Sequence, residues 1–187
     1  MRSSTGREDD PDNLMDYALG EGAYALWFHH NSSYVEISNL LLDLTLKYEL
    51  VLPHSQEFRV PEDVNQPITG PENKEDVDID PGDIIRIEPS LAWEFLKGCS
   101  FLLEYEYGYR FEADVSGNKG LNYESLEEES NFTEHVIKVG VSYSTVPLYA
   151  EKKFPLPLTA YALYRNRFAG ENVLKSQYIG LGLAFYF

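Results

Sequence analysis

The feature that most constrains the fold is an alternation of apolar and polar side chains over residues 100–115. Successive side chains of a β-strand point to opposite faces of the sheet, so the alternation predicts a long strand with one apolar and one charged face. A helix built from the same residues would carry charge on every side. The apolar face would hold Phe101, Leu103, Tyr105, Tyr107, Tyr109, Phe111, Ala113 and Val115. The opposite face would hold Glu104, Glu106, Gly108, Arg110, Glu112 and Asp114.

Other segments of the chain follow the same period of two. Alternation is clear in 40–52, 85–95, 137–144 and 178–187, whereas 156–168 is extended without a clear phase and 22–29 is a weaker strand. Together these segments predict about seven strands, with boundaries good to about 2–4 residues. Long consecutive strands joined by turns are typical of an all-β, antiparallel up-and-down barrel.

The connections between the predicted strands divide into short turns and two long acidic loops, 53–83 and 116–132. Counted back from the C-terminus, both long loops fall on one side of the sheet, together with a brief hairpin at 170–172. The other short turns fall on the opposite side. The predicted organisation is a disordered acidic segment at 1–12, followed by one barrel domain over 13–187.

Composition excludes several classes of protein. A chain of 187 residues with 14% aromatic residues carries too much apolar surface to remain disordered. Nowhere do about 18 apolar residues run together, as a membrane helix requires. A formal net charge of −16 would be repelled by a phosphate backbone, which argues against nucleic-acid binding. The single cysteine, Cys99, excludes an intrachain disulfide framework.

Two architectures produce this alternation, and they differ in which face meets water. A soluble lipocalin-like barrel or sandwich turns its apolar face inward, whereas a transmembrane barrel turns it toward lipid and its charges toward the lumen. The predicted strands run to about 12–16 residues, against about 5–6 in soluble sheets. Their apolar face is rich in Tyr and Trp, which suit the lipid headgroup level, and the asymmetry of loop lengths is that of outer-membrane barrels. The sequence therefore favours the transmembrane barrel, with the soluble barrel as an alternative.

The end of the chain resembles the C-terminal insertion signal of bacterial outer-membrane proteins. In that signal the last residue is Phe, and hydrophobic residues precede it at every second position. The matching residues are Ile179, Leu181, Leu183, Phe185 and Phe187. The resemblance implies a place in the outer membrane of a Gram-negative cell envelope. It also implies three partners, namely the lipid bilayer, lipopolysaccharide and the barrel-assembly machinery.

Residues 12–187 resemble, more loosely, a family of outer-membrane transporters associated with meta-cleavage (MetA-type) phenol degradation. The resemblance lies in the order of Ala-Leu-Gly-Glu-Gly at 18–22, a long amphipathic strand, Asp-Pro-Gly-Asp at 80–83 and the strand that contains 103–105. It implies a monomeric, porin-like barrel that passes small hydrophobic or aromatic compounds.

The first ten residues lack the apolar segment of a secretory signal, which an outer-membrane protein needs. Either the chain is the C-terminal part of a larger barrel, or Met15, Tyr17 and Leu19 add a short eighth strand that closes a small one. The family resemblance favours the larger barrel. The choice matters because side chains fill an eight-stranded barrel, whereas a wider barrel can hold a pore.

The sequence contains no convincing catalytic set, and we predict that the protein is not an enzyme. His30 and Ser32 are two members of the His/Ser/acid set that a lipid A deacylase barrel uses, but nucleophilic catalysis also needs an orienting acid in contact with the base. We interpret this segment as a polar turn on the periplasmic side.

An acidic stretch at 76–83 suggests a weak calcium site, because Ca²⁺ prefers oxygen ligands. Its four carboxylates are those of Asp76, Asp78, Asp80 and Asp83. The stretch departs from the EF-hand pattern at Pro81 and Ile87, so a solvated acidic loop is the alternative. No other cofactor is predicted.

The polar positions of the predicted strands form a candidate lumen lining. They are Asp43, Lys47, Glu49, Arg86, Glu94, Glu104, Glu106, Arg110, Glu112, Asp114 and Lys138. One interpretation is a cross-strand ion-pair network that stiffens the barrel wall. The other is a charged lumen that prefers cations or excludes anions.

The sequence as a whole predicts a passive outer-membrane channel or transporter for small molecules. Two alternatives stay open. One is a small closed outer-membrane barrel with a structural or surface-interaction role. The other is a soluble lipocalin-like barrel that binds an apolar ligand.

Overall fold

The computed structural model describes residues 22–35, 39–63, 66 and 69–186, and it confirms an all-β chain with antiparallel sheets. The strands are β1 (Ala25–Tyr34), β2 (Leu40–Val51), β3 (His54–Arg59), β4 (Lys74–Asp80), β5 (Ile84–Leu96), β6 (Cys99–Arg110), β7 (Asp114–Ser116), β8 (Phe132–Ser144), β9 (Leu158–Glu171) and β10 (Ser176–Phe185). Two short helices, α1 (Glu124–Glu127) and α2 (Val146–Ala150), and a 3₁₀ turn at Pro71–Asn73 accompany them.

Seven long strands form one sheet in the order β1-β2-β5-β6-β8-β9-β10. They correspond to the seven segments in which the sequence predicts strands. The pairs β8–β9 and β9–β10 are antiparallel over almost their whole length. Among the described residues β1 and β10 are the edges of this sheet, and the sheet is not closed.

Strand β9 contains an irregularity that explains its unclear phase in the sequence. His135 of β8 pairs with Ala169, but the next residue, Val136, pairs with Arg167, so that Phe168 is an extra residue on β9. Such a bulge changes the parity of the strand, because the side chains before and after it alternate out of step. A single alternating pattern therefore cannot describe the whole segment.

Three short strands form a second sheet, in the order β3-β4-β7. Two of them lie inside the segment 53–83 that was predicted as a long loop, and β7 lies where the strand predicted over 100–115 meets the second predicted loop. Its core contains Val60, Val77 and Val115, which are almost completely buried. Partly buried apolar residues pack against this core: Phe58, Ile79, Leu121, Tyr123 and Leu126. Large parts of the acidic segments are thus folded around a core of their own.

The long strand predicted over 100–115 ends earlier than expected. Strand β6 stops at Arg110, and Val115 lies on β7 in the second sheet. Because Val115 is buried in the core of that sheet, the chain leaves β6 before reaching it. The predicted strand is therefore wrong beyond Arg110, where Glu112 and Asp114 are exposed.

The polar turn predicted around 30–32 is also wrong, because β1 continues to Tyr34. The side-chain amide of Asn31 donates a hydrogen bond of 2.8 Å to Oγ1 of Thr45, and the hydroxyl of Ser33 donates one to Asp43. These bonds to β2 satisfy polar side chains within a strand, so the polarity of the segment does not require a turn.

The chain divides into two compact units, each of which is described by itself. Unit 1 comprises Met1–Phe28, Lys47–Ile85 and Tyr109–Phe132, and unit 2 comprises His29–Leu46, Arg86–Gly108 and Thr133–Phe187. Three sequence predictions lie outside the described residues. They concern the disordered segment 1–12, the short strand of Met15, Tyr17 and Leu19, and the terminal Phe187.

Candidate functional site

Seven charged side chains lie together on one face of the long sheet in unit 2. Four adjacent strands, β5, β6, β8 and β9, supply them. We call this group the charge cluster, and its members are Arg86, Glu104, Glu106, Glu134, Lys138, Arg165 and Arg167. The most exposed of these side chains, that of Arg86, is 29% exposed.

Glu134 is the most deeply buried member, with a side chain that is 5% exposed. Its carboxylate lies 2.9 Å from Nη2 of Arg167 and 3.6 Å from Nε of Arg86. Gly108 on β6 makes room for it, since a Cβ atom at Gly108 would lie 2.7 Å from Cγ of Glu134. This close approach explains a glycine in the interior of a strand, where glycine is otherwise unfavourable.

The other two carboxylates of the cluster surround Lys138. Its Nζ atom lies 2.5 Å from Oε1 of Glu104 and 3.2 Å from Oε2 of Glu106. Glu106 also faces Arg86 at 4.0 Å and Arg165 at 3.9 Å. A buried carboxylate is costly unless it is paired, and these contacts provide the pairing. The predicted cross-strand ion-pair network is therefore present in unit 2.

Four predicted lumen residues, Arg86, Glu104, Glu106 and Lys138, belong to the cluster, whereas three members were missed. Glu134 was missed because it precedes the segment in which alternation is clear. Arg165 and Arg167 were missed because the bulge at Phe168 obscures the phase of β9. The signal that could have found them is their own spacing, since two arginines two residues apart point to one face of a strand.

The opposite face of the same strands is apolar and exposed. Trp93 is 49% exposed and Val141 52%, and Leu181 on the neighbouring strand β10 is 79% exposed, while Glu106 and Glu134 are at most 8% exposed. This distribution is the reverse of that in a water-soluble sheet, where the charged face meets solvent and the apolar face is covered.

A cavity of about 360 Å³ lies beside the charge cluster on its own face of the sheet. Lining residues include Ala92, Leu102, Gly140, Ser142, Tyr161 and Leu163. The cavity adjoins the cluster along each of three strands. Leu102 lies two residues from Glu104 on β6. Gly140 lies two residues from Lys138 on β8, and Leu163 lies two residues from Arg165 on β9. On this face, small and apolar side chains therefore follow the charged ones along each strand. The alternating pattern alone does not reveal this change from charged to apolar residues.

The other seven predicted lumen residues lie at several positions of the strands and turns. Asp43 accepts the hydrogen bond from Ser33, and Glu94 accepts one of 2.7 Å from the backbone N–H of Gly98. Arg110 donates a 2.9 Å hydrogen bond to the carbonyl of Pro81 in unit 1. The last four lie on β2 or beyond the end of β6, and they are Lys47, Glu49, Glu112 and Asp114.

The predicted calcium ligands are not brought together. Among the described residues no group of three or more potential ligands could hold a metal ion. Alternate residues of β4, such as Asp76, Asp78 and Asp80, lie about 6.6 Å apart along the strand, too far to share one ion directly. Asp78 accepts a hydrogen bond of 2.5 Å from Ser55, and Asp83 accepts one of 3.1 Å from the N–H of Val51.

Glu75 of unit 1 holds the second acidic segment in place. Its carboxylate accepts hydrogen bonds from the N–H groups of Asn118 and Lys119, at 2.5 and 2.9 Å, and from the hydroxyl of Tyr123 at 2.7 Å. Burial pushes the pKa of Glu75 up, but the hydrogen bonds from Tyr123, Asn118 and Lys119 and the charge of Lys119 outweigh it and leave the pKa below 4.5. The ionised carboxylate is therefore the form that this fold stabilises.

We expect the order of this segment to depend on pH. Because the pKa of Glu75 is lowered on folding, its stabilising effect is present above about pH 4.5 and is lost as the pH falls through the lowered value. Amide hydrogen exchange at Asn118 and Lys119 should show high protection factors near neutral pH and a decrease in acid. In Glu75→Gln the protection of these two amides should be low at every pH. The control Glu72→Gln, which changes a neighbouring exposed carboxylate, should behave like the unsubstituted protein. Equal protection in the Glu75 variant would contradict this role.

The candidate catalytic segment does not form a catalytic arrangement. His30 and Ser32 lie two residues apart on the exposed strand β1, and their segment is held by hydrogen bonds to β2 from Asn31 and Ser33. Residues two apart on a strand point to the same face, but among the described residues no acid contacts His30 to orient it.

Comparisons with known proteins add no family to these observations. The chain matches no protein-family model and no curated protein sequence. Within the described residues, no helix is sufficiently long and apolar to cross a membrane.

Proposed function

We propose that the chain contributes seven strands to a bacterial outer-membrane β-barrel that acts as a passive channel for small molecules and performs no covalent chemistry. The observation that carries the proposal is the reversed burial in unit 2. Carboxylates such as Glu134 are buried on one face, while large apolar side chains such as Trp93 and Leu181 are exposed on the other. Lipid is the medium in which such an exposed apolar face is stable.

The positions of the aromatic residues on the exposed face support a membrane environment. Tyr105, Tyr107 and Phe168 surround His135, with ring centroids 5.3–6.1 Å apart. Near the turn that follows β5, Trp93 lies 5.7 Å from Phe95. Aliphatic residues lie between these positions along the strands: Leu103, Ile137, Val139 and Val141. Membrane barrels have such an apolar band between two aromatic girdles.

The number of strands supports a larger assembly. In a sheet of seven antiparallel strands the two edge strands run in the same direction, so direct pairing of β1 with β10 would be parallel. An all-antiparallel barrel, whose strand number is even, needs an odd number of further strands between these edges. The proposal therefore includes additional strands, which widen the barrel and leave room for a pore.

The charge cluster stiffens the wall of the proposed channel. Its three carboxylates and four cationic groups come from four adjacent strands and cross-link them on the inner face. The similarity of the chain to the meta-cleavage transporters favours hydrophobic or aromatic solutes. Lipopolysaccharide and the barrel-assembly machinery are the partners that this location implies.

Quenching of Trp93 tests the orientation of the apolar face. The chain contains two tryptophans, Trp27 and Trp93, so Trp27→Phe isolates the signal of Trp93. After refolding into vesicles that contain brominated phosphatidylcholine, the fluorescence of Trp93 should be strongly quenched, because bromine atoms in the acyl chains contact lipid-facing rings.

The matched control places the only tryptophan on the other face. In a variant without Trp27 and Trp93, Ser142→Trp puts the indole beside the cavity, where little quenching is expected. A Trp93 signal that brominated lipid leaves unchanged, or refolding without detergent or lipid, would overturn the membrane proposal in favour of a soluble barrel.

A surface-interaction role is a second candidate for unit 1. The segments 53–83 and 114–132 contain a three-stranded sheet with the buried core of Val60, Val77 and Val115. A folded acidic surface presents fixed side chains to a partner, which a solvated loop does not. Deletion of this sheet should then abolish binding to a surface of opposite charge, such as polylysine-coated beads, and leave solute passage intact.

A further inference from the structure

The cavity in unit 2 has the size and lining of a site for a small apolar body. Its volume of about 360 Å³ exceeds the roughly 150 Å³ that is sufficient for benzene in an apolar protein cavity. Leu102 and Leu163 contribute apolar side chains, and Gly140 contributes none. A Cβ atom at Gly140 would lie 3.4 Å from both leucines, so the glycine keeps the space between them open.

Arg165 lies next to this cavity with unused hydrogen-bonding capacity. It follows Leu163 by two residues on the same face of β9, which places it about 6.6 Å further along the strand. Its side chain is only 17% exposed, and its nearest carboxylate oxygen is Oε2 of Glu106 at 3.9 Å. That distance is beyond hydrogen-bond reach, and within the described part of the chain the guanidinium donates no hydrogen bond.

A guanidinium in this situation favours an anion of planar shape. It carries five N–H donors in a fixed fork that matches a carboxylate in two-point contact. A bound anion on Arg165 would also lie near a second cationic group, because Lys138 is the residue of β8 that pairs with Arg165. A neutral ligand can accept a hydrogen bond from Arg165, but hydrogen bonds to an ionised acceptor are about twice as strong.

We propose that unit 2 binds a small aromatic monocarboxylate, with its ring in the cavity and its carboxylate on Arg165. The inference rests on the proposed function in that it names the class of solute that the channel selects. It differs from the cation preference that the acidic sequence suggests, because the group that would hold the solute is the guanidinium of Arg165.

Binding of fluorinated probes to the detergent-solubilised full chain tests this site. A ¹⁹F NMR titration would compare 4-fluorobenzoate with 4-fluorobenzyl alcohol and 4-fluorobenzylamine, which share the ring but differ in charge. The carboxylate should bind about tenfold or more tightly than the alcohol, since hydrogen bonds to charged groups are the strong ones. The amine should bind most weakly.

Two kinds of variant separate the parts of the site. Arg165→Met keeps much of the aliphatic stem and should reduce the affinity for 4-fluorobenzoate about tenfold or more while changing that for the alcohol little. Gly140→Val fills the cavity and should weaken both probes. Its control is Gly180→Val on β10, where a Cβ atom meets no atom within 4 Å and binding should be unchanged.

The outcomes distinguish the site from the channel. Equal affinity of the carboxylate and the alcohol, or unchanged affinity in both Arg165→Met and Gly140→Val, would overturn the site. A liposome-swelling assay measures passage separately. Passage of small solutes without selective binding of the carboxylate would support the channel and contradict the binding site. Selective binding without passage would support the binding site and contradict the channel.

Discussion

Replacement of Glu134 by alanine is expected to lower the free energy of unfolding by about 3–5 kcal/mol, the range observed when one partner of a buried ion pair is removed. The carboxylate of Glu134 is the nearest negative group to Arg167, at 2.9 Å, and it also faces Arg86 at 3.6 Å. Its removal takes the nearest carboxylate from Arg167, whose side chain is only 23% exposed. The measurement is urea-induced unfolding from lipid vesicles, followed by tryptophan fluorescence.

The matched control for this variant is Glu151→Ala. Glu151 pairs with Lys97 and Lys153 at the protein surface, and their hydrogen bonds lower the pKa of Glu151 to about 2. Exposed pairs of this kind contribute little because water already solvates both partners. A loss of stability in Glu134→Ala no larger than in Glu151→Ala would contradict the view that the charge cluster holds four strands together.

A second arm tests whether the cost comes from the uncompensated charge. In Glu134→Leu/Arg167→Met both members of the 2.9 Å pair are replaced by apolar groups. The double variant should be more stable than Glu134→Ala, since replacing a buried pair by apolar residues is often neutral or stabilising. A double variant as unstable as the single one would instead point to lost packing around Gly108.

The strands of the long sheet could be predicted because each carries its own periodicity. Residues 103–110 alternate without interruption, and the ion pairs of Glu104 and Glu106 follow from that alternation and from a similar pattern around Lys138. A period of two assigns a residue to a face without any knowledge of the neighbouring strand.

The rest of the cluster depends on pairing between strands, which one sequence does not contain. The bulge at Phe168 is visible only when β8 and β9 are aligned, and it decides that Arg165 and Arg167 lie beside Lys138 and Val136. The cavity depends on the pairing order in the same way, because it requires Leu102, Gly140 and Leu163 to be neighbours.

The second sheet was missed because its core is assembled from distant parts of the chain. Val60, Val77 and Val115 are separated by many acidic residues, so no short window shows an apolar face. The role of Glu75 could not be predicted for the same reason, since its hydrogen-bond donors Asn118 and Lys119 are more than forty residues away in the sequence. High local charge predicts exposure on average, and here the contacts override it.

Substitution of Val141 by arginine is expected to destabilise the protein in a membrane by about 2 kcal/mol. An arginine on the lipid face of a barrel costs about 2–4 kcal/mol at the midplane and about 0–1 kcal/mol near the interfaces. Val141 lies between the midplane and the interface, because it is two residues from Tyr143 on the exposed face of β8. The measurement is again reversible unfolding from vesicles.

The neighbouring Ser142→Arg is the matched control, because it places the same side chain on the opposite face of the same strand. Ser142 lines the cavity of about 360 Å³, which has room for part of an arginine side chain, so a much smaller loss is expected. In Tyr143→Arg the loss should also be smaller than in Val141→Arg, since the guanidinium can reach the headgroup level.

The Val141 substitution separates the two architectures by the size of its effect. Val141 is already 52% exposed, so in a water-soluble protein an arginine there would change stability by no more than about 0.5 kcal/mol. In lipid the same exposure is what makes the substitution costly, because the medium around the side chain cannot solvate its charge. A cost near zero for Val141→Arg, together with a large one for Ser142→Arg, would mean that water covers the apolar face and that the charge cluster belongs to an ordinary protein interior.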